Sequence, residues 1–521
     1  VIPSRNDAVP GGEDRDAAAA SGIDPAVYAR RWKILGVLCL SLVLVVVGNS
    51  SLNVALPKLL EDLHATQTQL QWIVDAYAIV FAGLLLPAGA LGDRFGRKGA
   101  LQFGLVVFGS ASLLATVSNS PNQLIASRAL MGLAAAFVMP STLSILANVF
   151  PPQERARAIA IWAGFSGAGA AVGPVLSGFL LEHFWWGSVF LVNVPIVVGA
   201  LVAGALLVPT SKDPNHGRLD PVGSLLSIVA LGSLIYAIIE APVKGWGSAP
   251  TLAGFVVFAA AGIGFVVWER TTTHPMLPME LFRNRRFSIG ATTVTLTFFA
   301  MFGLFFVLTQ YLQFVLDFTP FKAGLATLPL AAMLMIFAPR SAGFVVRFGQ
   351  ARVQAVGLTL VAAGLLVIAS LTPQSSYAMV ALGLVIAGIG MGCTTAPATN
   401  AIVSSVPLAK SGVGSAVNDT TREVGGALGI AVLGSLVASA YHSTMATKVV
   451  GLPADLAAKA QDSVGVVKAV AGTQLAVDAK NAFTDAFGTA LVAAAVVALV
   501  CAGIVLAFFP RTPPSADRPV P

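Results

Sequence analysis

Five ionisable side chains stand inside otherwise apolar stretches of this chain: Asp75, Arg128, Asp419, Arg422 and Glu423. An ionisable group in an apolar medium is costly, and by default it marks an ion or substrate pathway. Asp419 and Glu423 are four residues apart, so a helix puts both on one face. Two carboxylates that close do not both ionise easily, which suits a site that takes up and releases a proton. They would also attract a cation. The alternative is an Asp-Arg-Glu cluster that neutralises itself and ties helices together, at a higher desolvation cost than neutral hydrogen bonds would carry. Asp75 either alternates between protonated and ionised forms or reaches water at an interface. Arg128 is either a counter-charge to a carboxylate or a clamp on backbone carbonyls. Glu240 lies near the end of another apolar stretch.

Other chemistries find no constellation. Cys39, Cys393 and Cys501 all lie in apolar runs and read as small core residues. The five histidines sit in or beside polar connections, none at a metal-ligand spacing to Cys or acid. There is no Gly-x-x-x-x-Gly-Lys-Ser/Thr loop and no dinucleotide fingerprint. No metal or cofactor is therefore expected, and energy for any transport should come from the proton gradient.

These residues must be positioned by membrane helices. Of the 521 residues, 56% are hydrophobic and only 11% are charged, where a soluble domain carries roughly 25% charged residues. Mean hydropathy is +0.82. Such a chain cannot cover a water-soluble surface, and it is far too apolar for disorder. Runs of the ~20 apolar residues that a spanning helix needs fall at 34–56, 71–91, 100–118, 123–148, 156–181, 188–208, 222–242, 250–268, 288–314, 323–345, 353–371, 377–402, 411–438 and 484–508. The expectation is an all-α membrane protein with fourteen spans.

Lys and Arg set the orientation. The connections on one side hold Arg94, Arg97, Lys98, Arg155, Arg157, Lys212, Arg218, Arg270, Arg283, Arg285, Arg286, Arg347, Arg352 and Lys410, whereas the short connections on the other hold Lys58, Lys244 and Lys322. Both termini should thus be cytoplasmic. The net charge of +7 is a topology signal spread along the chain, with no basic face for nucleic acid. A polar tail (1–33), a six-helix half (34–208), two inserted helices with an amphipathic connector (209–287), a second six-helix half (288–508) and a disordered tail (509–521) follow. The second half carries a long outer loop at 439–483, and the connector at 275–287 should lie along the inner membrane surface. An internal echo supports the halves: Arg94-Phe95-Gly96 after the second span recurs as Arg347-Phe348-Gly349 after the tenth.

Several motifs together resemble the major facilitator superfamily, in its fourteen-span drug:proton antiporter branch. Gly89, Asp93, Arg94, Gly96, Arg97 and Lys98 match the loop between spans 2 and 3. Arg128 and Gly132 match the buried-arginine motif of span 4, with Met131 where a Gln is usual. Gly169, Gly173, Pro174 and Gly178 match the antiporter motif of span 5, with Ser177 replacing one Gly. Leu52 to Pro57 resembles the end of span 1, and Trp72 to Tyr77 is most similar to the quaternary-ammonium and dye exporters. Where members of this branch carry an Asp in span 1, this chain has Gly48 followed by Asn49, which moves the burden to Asp75.

The resemblance implies a multi-pass transporter of a bacterial plasma membrane, not an enzyme. It implies export of amphiphilic, drug-like cations against protons. The span-2 loop would be a latch that steadies the outward-open state, with Asp93 near a helix N-terminus. The span-5 motif would be a gate: small residues allow close helix approach, and Pro174 bends the helix. Trp72, Tyr77, Tyr311, Gln313 and Glu240 are candidate cavity residues. Phe298, Phe299, Phe302, Phe305 and Phe306 either stack on a flat cation or, for most of them, pack toward lipid.

Overall fold

The computed structural model describes residues 23–52, 67–212, 220–449 and 473–510, with Ala55, Leu59, Asp62, Leu63, Ala457, Ala460 and Gln461 singly between them. The start of the polar tail, most of Leu52–Pro57, much of the 439–483 loop and the terminal residues from 511 lie outside the described residues. Among the described residues fourteen helices are long and apolar enough to cross a membrane, and no strand occurs. They are α1 (Pro25–Ser50), α2 (Trp72–Phe95), α3 (Arg97–Thr116), α4 (Pro121–Val149), α5 (Pro152–His183), α6 (Ser188–Leu207), α7 (Pro221–Ala241), α8 (Ala249–Thr271), α9 (Arg285–Val315), α10 (Phe321–Phe348), α11 (Gln350–Ala369), α12 (Tyr377–Ser404), α13 (Ser411–Ala446) and α14 (Gln474–Phe508).

Helix ends differ from the hydropathy boundaries where polar residues build a cap. α1 starts well before residue 34, because Asp24 caps it through Ala26 N–H at 2.7 Å and Pro25 opens it. Its polar first turns are held by Arg31, which donates to both oxygens of Glu154 on α5 at 2.6 and 3.0 Å. The predicted loop at 439–483 is shorter than expected, since α13 runs on to Ala446 and the last helix begins at Thr473. Of the predicted connector, Met279–Arg283 forms a single 3₁₀ turn, and Arg285 already opens α9, capped by Asn284.

α2 packs on α4, α4 on α3, and α1 on α5; later in the chain α11 packs on α12 and α14, α9 on α13, and α10 on α12. Between these groups α5 contacts α10 and α12, while α13 contacts α2 and α4. α7 and α8 pack on each other, and α7 also meets α2 and α13. The Arg-Phe-Gly echo has a structural counterpart. Gly96 (φ 119°) and Gly349 (φ 82°) each separate two helices at a left-handed turn that an L side chain would strain.

Candidate functional site

The site is built where α2, α4 and α13 cross. Arg128 on α4 is fully buried. Its Nε donates to Ile73 O at 3.0 Å, Nη1 to Gly48 O at 3.3 Å and Nη2 to Asn49 Oδ1 at 3.1 Å. The guanidinium also lies 4.5 Å from the centre of the Tyr77 ring. Ile73 and Tyr77 are one turn apart on α2, and Arg128 and Gly132 are one turn apart on α4. The two helices meet turn for turn: a Cβ on Gly132 would stand 2.5 Å from Tyr77 O. Gly132 thus admits the α2 backbone, and Arg128 donates to the Ile73 carbonyl of that helix. Asn49, beside the Gly48 position, supplies the side-chain acceptor, a role that sequence reading missed. A polar residue inside an apolar run was the available signal.

Asp75 is buried, but it is not on that face. At ~100° per residue it points about 200° away from Ile73. It falls one turn before Ile79 and two before Gly83, the stripe that packs on Gly232 and Ile228 of α7.

On α13, Asp419 is 1% exposed. Its Oδ1 accepts from Asn418 Nδ2 at 3.2 Å and lies 3.7 Å from Arg422 Nη1, while Oδ2 has no donor. Arg422 Nη2 donates to Ser166 Oγ of α5, and its guanidinium sits 4.6 Å from the Phe298 ring centre and 5.3 Å from that of Trp162. Trp162 Nε1 in turn donates to Thr142 Oγ1 of α4 at 3.1 Å. Arg422 thus joins α13 to α5 and α9, and it leaves one Asp419 oxygen uncompensated. Glu423, half-buried, follows Arg422 directly and lies one turn on from Asp419. Trp162 and Ser166, one turn apart on α5, are further members that the sequence reading did not single out.

The last turn of α2 engages the first turn of α13. Asp93 accepts from Gly412 N–H at 3.0 and 2.8 Å, from Val413 N–H at 3.3 Å and from Arg97 Nε at 2.7 Å. A carboxylate is favoured at such a helix N-terminus. Arg97 is not a free loop charge, as the topology count treats it. It is 2% exposed and also donates to Leu408 O at 3.1 Å. Gly89 lets the backbone of Gly412 approach, and Lys98 Nζ reaches Ala205 O at 2.7 Å; Arg94 lies beside Phe95. From α4, Ser144 Oγ and Asn148 Nδ2 both meet Ser411 Oγ, at 2.7 and 3.0 Å. The second copy of the echo has no such contact to make. Val346 replaces Asp93 and is 89% exposed, and Gln350 replaces Arg97 and donates to Pro397 O.

α5 runs unbroken through Pro174 with α1 on one side and α10 on the other. Gly169 faces Val46 and Gly173 faces the Ser50 hydroxyl, while Ser51 Oγ donates to Gly173 O at 3.1 Å. Gly178 abuts Phe321, and Gly167 abuts Leu334. The remaining candidates have partners or exposures of their own. Tyr311 is buried, stacks on Phe487 at 5.0 Å and donates to Thr372 O. It opens a π-helical turn that holds half-buried Gln313. Glu240 pairs with Lys244 at 2.8 Å, and Trp72 is exposed. The α9 phenylalanines divide: Phe298 and Phe299 are buried, Phe302 and Phe305 are half-buried, and Phe306 is exposed although its ring edge lies against Gly434 of α13.

Fourteen spanning helices that cross around buried ionisable groups define a multi-pass membrane transporter. The chain belongs to the Major Facilitator Superfamily, whose family model matches residues 38–430. It is 38% identical to the multidrug efflux pump LfrA of Mycolicibacterium smegmatis, over 92% of this chain and 97% of that one. It is 34% identical to the tetracenomycin C resistance and export protein of Streptomyces glaucescens, covering 82% and 80%. Against the methyl viologen resistance protein SmvA of Salmonella typhimurium identity is 33%, covering 92% and 96%. Among solved structures, a bacterial homologue of the lysosomal transporter Spinster superposes with a TM-score of 0.57 at 17% identity, covering 93% of this chain and 99% of that one. That likeness bears on the fold.

Proposed function

We propose that the chain exports amphiphilic, drug-like cations across the cell membrane in exchange for protons. The observation that carries this reading is Asp419, buried on α13 with an oxygen that no donor reaches, one turn from Glu423. A cation binds while the pair is ionised, and protonation releases it. The likeness to LfrA, a multidrug efflux pump, and to SmvA, a resistance protein for the dication methyl viologen, supports export and a cationic cargo. Residues 34–208 and 288–508 act as the two rocking halves, with 209–287 inserted and both termini cytoplasmic. Asp93, bound to the first turn of α13, closes the cytoplasmic end and favours the outward-open state. α5, between α1 and α10, is the surface on which the halves move. Asp75 assists from the α7 side of α2, and Arg128 holds α1, α2 and α4 together around Tyr77.

The test is proton release on adding lipophilic cations to the purified protein. Wild type should release protons with at least some of a cation panel, and Asp419→Asn and Glu423→Gln should abolish release. No release from wild type with any cation overturns the competition mechanism. The relative named for tetracenomycin C favours a second reading, export of a neutral aromatic natural product. In that case such a compound is transported without displacing protons from Asp419 and Glu423.

A further inference from the structure

At the base of the inserted helices two more carboxyl groups face one another. Asp220 precedes α7 and is 8% exposed; Glu269 lies in the last turn of α8 and is 3% exposed. One oxygen of each is well satisfied. Asp220 Oδ1 accepts from Gly223 N–H at 2.8 Å and from Trp268 Nε1 at 2.9 Å. Glu269 Oε2 accepts from Leu277 N–H at 3.0 Å. The other two oxygens, Asp220 Oδ2 and Glu269 Oε1, are buried and receive no hydrogen bond from any N–H or hydroxyl donor. Both converge on Gly223, where a Cβ would contact each of them.

The charged groups on the surrounding elements do not fill this gap. Arg270, His274, Glu280, Arg283 and Arg285 are exposed, and Arg94, Arg286 and Lys410 are half-buried. Asp93 and Arg97 are bonded to each other. Two ionised carboxylates at this spot would repel in a buried setting, each with an orphan acceptor.

We propose that Asp220 and Glu269 hold a single proton between Oδ2 and Oε1, forming a protonatable joint separate from the central carboxylates. One carboxyl keeps its O–H and donates to the other, so both orphan oxygens are satisfied with one negative charge left on the pair. That charge is stabilised by the Gly223, Trp268 and Leu277 N–H groups. The joint fastens the start of α7, the end of α8 and the segment leading to α9. Loss of the proton sets two like charges face to face and loosens it. The proposal does not depend on the cargo or on export.

Amide replacements test it, because each reproduces one protonation microstate. In Glu269→Gln the amide N–H donates to Asp220 Oδ2, and the amide oxygen keeps the Leu277 bond. In Asp220→Asn the amide N–H donates to Glu269 Oε1, and the amide oxygen keeps Gly223 and Trp268. Each single variant of the full chain should be purified with a Tm close to wild type. The double variant sets two N–H₂ groups against each other and should melt lower than the sum of the single effects. Wild type should also show a protonated-carboxyl infrared band, sensitive to D₂O, that Glu269→Gln lacks. A double variant no less stable than the singles, or single variants that fail to fold, overturns the proposal. So does a wild-type Tm raised by sodium or potassium ions with that rise lost in Glu269→Gln, which would mark a metal cation between the oxygens.

Discussion

Replacing Asp93 by Asn isolates the contact between the last turn of α2 and α13. Oδ2 accepts from Gly412 N–H at 2.8 Å and from Val413 N–H at 3.3 Å, while Oδ1 faces Gly412 N–H and Arg97. An amide keeps one oxygen, and Arg97 will hold it. The N–H₂ group must then face the two backbone N–H groups, donor against donor. The charge that favoured the helix N-terminus is gone, worth up to ~2 kcal/mol where partly buried. Arg97 is left buried without its counter-charge, and breaking such a pair costs about 3–5 kcal/mol. Because Leu408 O still accepts from Arg97, the lower end applies. A loss of about 3 kcal/mol changes the balance between closed and open latch roughly 150-fold. In the proposed latch the Gly412, Val413 and Leu408 bonds, which join this turn to the start of α13, belong to the closed state, so the loss falls on that balance.

The assay is alkylation of Ser144→Cys by a membrane-impermeant maleimide. Ser144 is fully buried against Ser411 when the latch is closed, and Cys39, Cys393 and Cys501 are themselves buried. In the Asp93→Asn background the labelling rate from the latch side should rise by one to two orders of magnitude, with turnover impaired and membrane insertion unchanged. Unchanged labelling together with unchanged transport would refute the latch.

Other perturbations follow from the same geometry. Arg128→Ala removes three hydrogen bonds and leaves a cavity between α1, α2 and α4; it should cost about 3 kcal/mol or more, read as lost yield and a lower Tm before any change in cargo preference. Good yield with normal stability and transport abolished would instead make Arg128 a mechanistic charge. Gly173→Ala drives a methyl into the Ser50 hydroxyl, so efflux should fall severalfold, and adding Ser50→Ala should recover part of it. No recovery in the double variant would place the fault elsewhere on α5. Asp75→Asn should retain the Arg128 clamp and lower proton-driven efflux, and full retention of efflux would remove Asp75 from the proton path.

Membrane class and span number were legible because hydrophobicity and length are properties of contiguous sequence: a run of ~20 apolar residues has the length and composition of a spanning helix. Motif membership was legible for a similar reason, since Arg128 with Gly132, and Asp93 with Arg97, are spaced by whole helical turns. Helix ends were less so, because the caps at Asp24 and Asn284 are polar and lie outside any apolar window. What the partners of each charge are is a non-local matter. Sequence left Arg128 balanced between counter-ion and clamp; only the crossing of α1, α2 and α4 brings Ile73 O, Gly48 O and Asn49 to it. Sequence also grouped Asp75 with Asp419 and Glu423; the structure buries Asp75 on α2, off the face that carries Ile73 and Tyr77. The Asp220–Glu269 pair was invisible, its members 49 residues apart at the ends of two helices. The chain by itself determined which groups are costly to bury; the tertiary structure decided which neighbours meet that cost, because desolvation is set by composition and compensation by geometry.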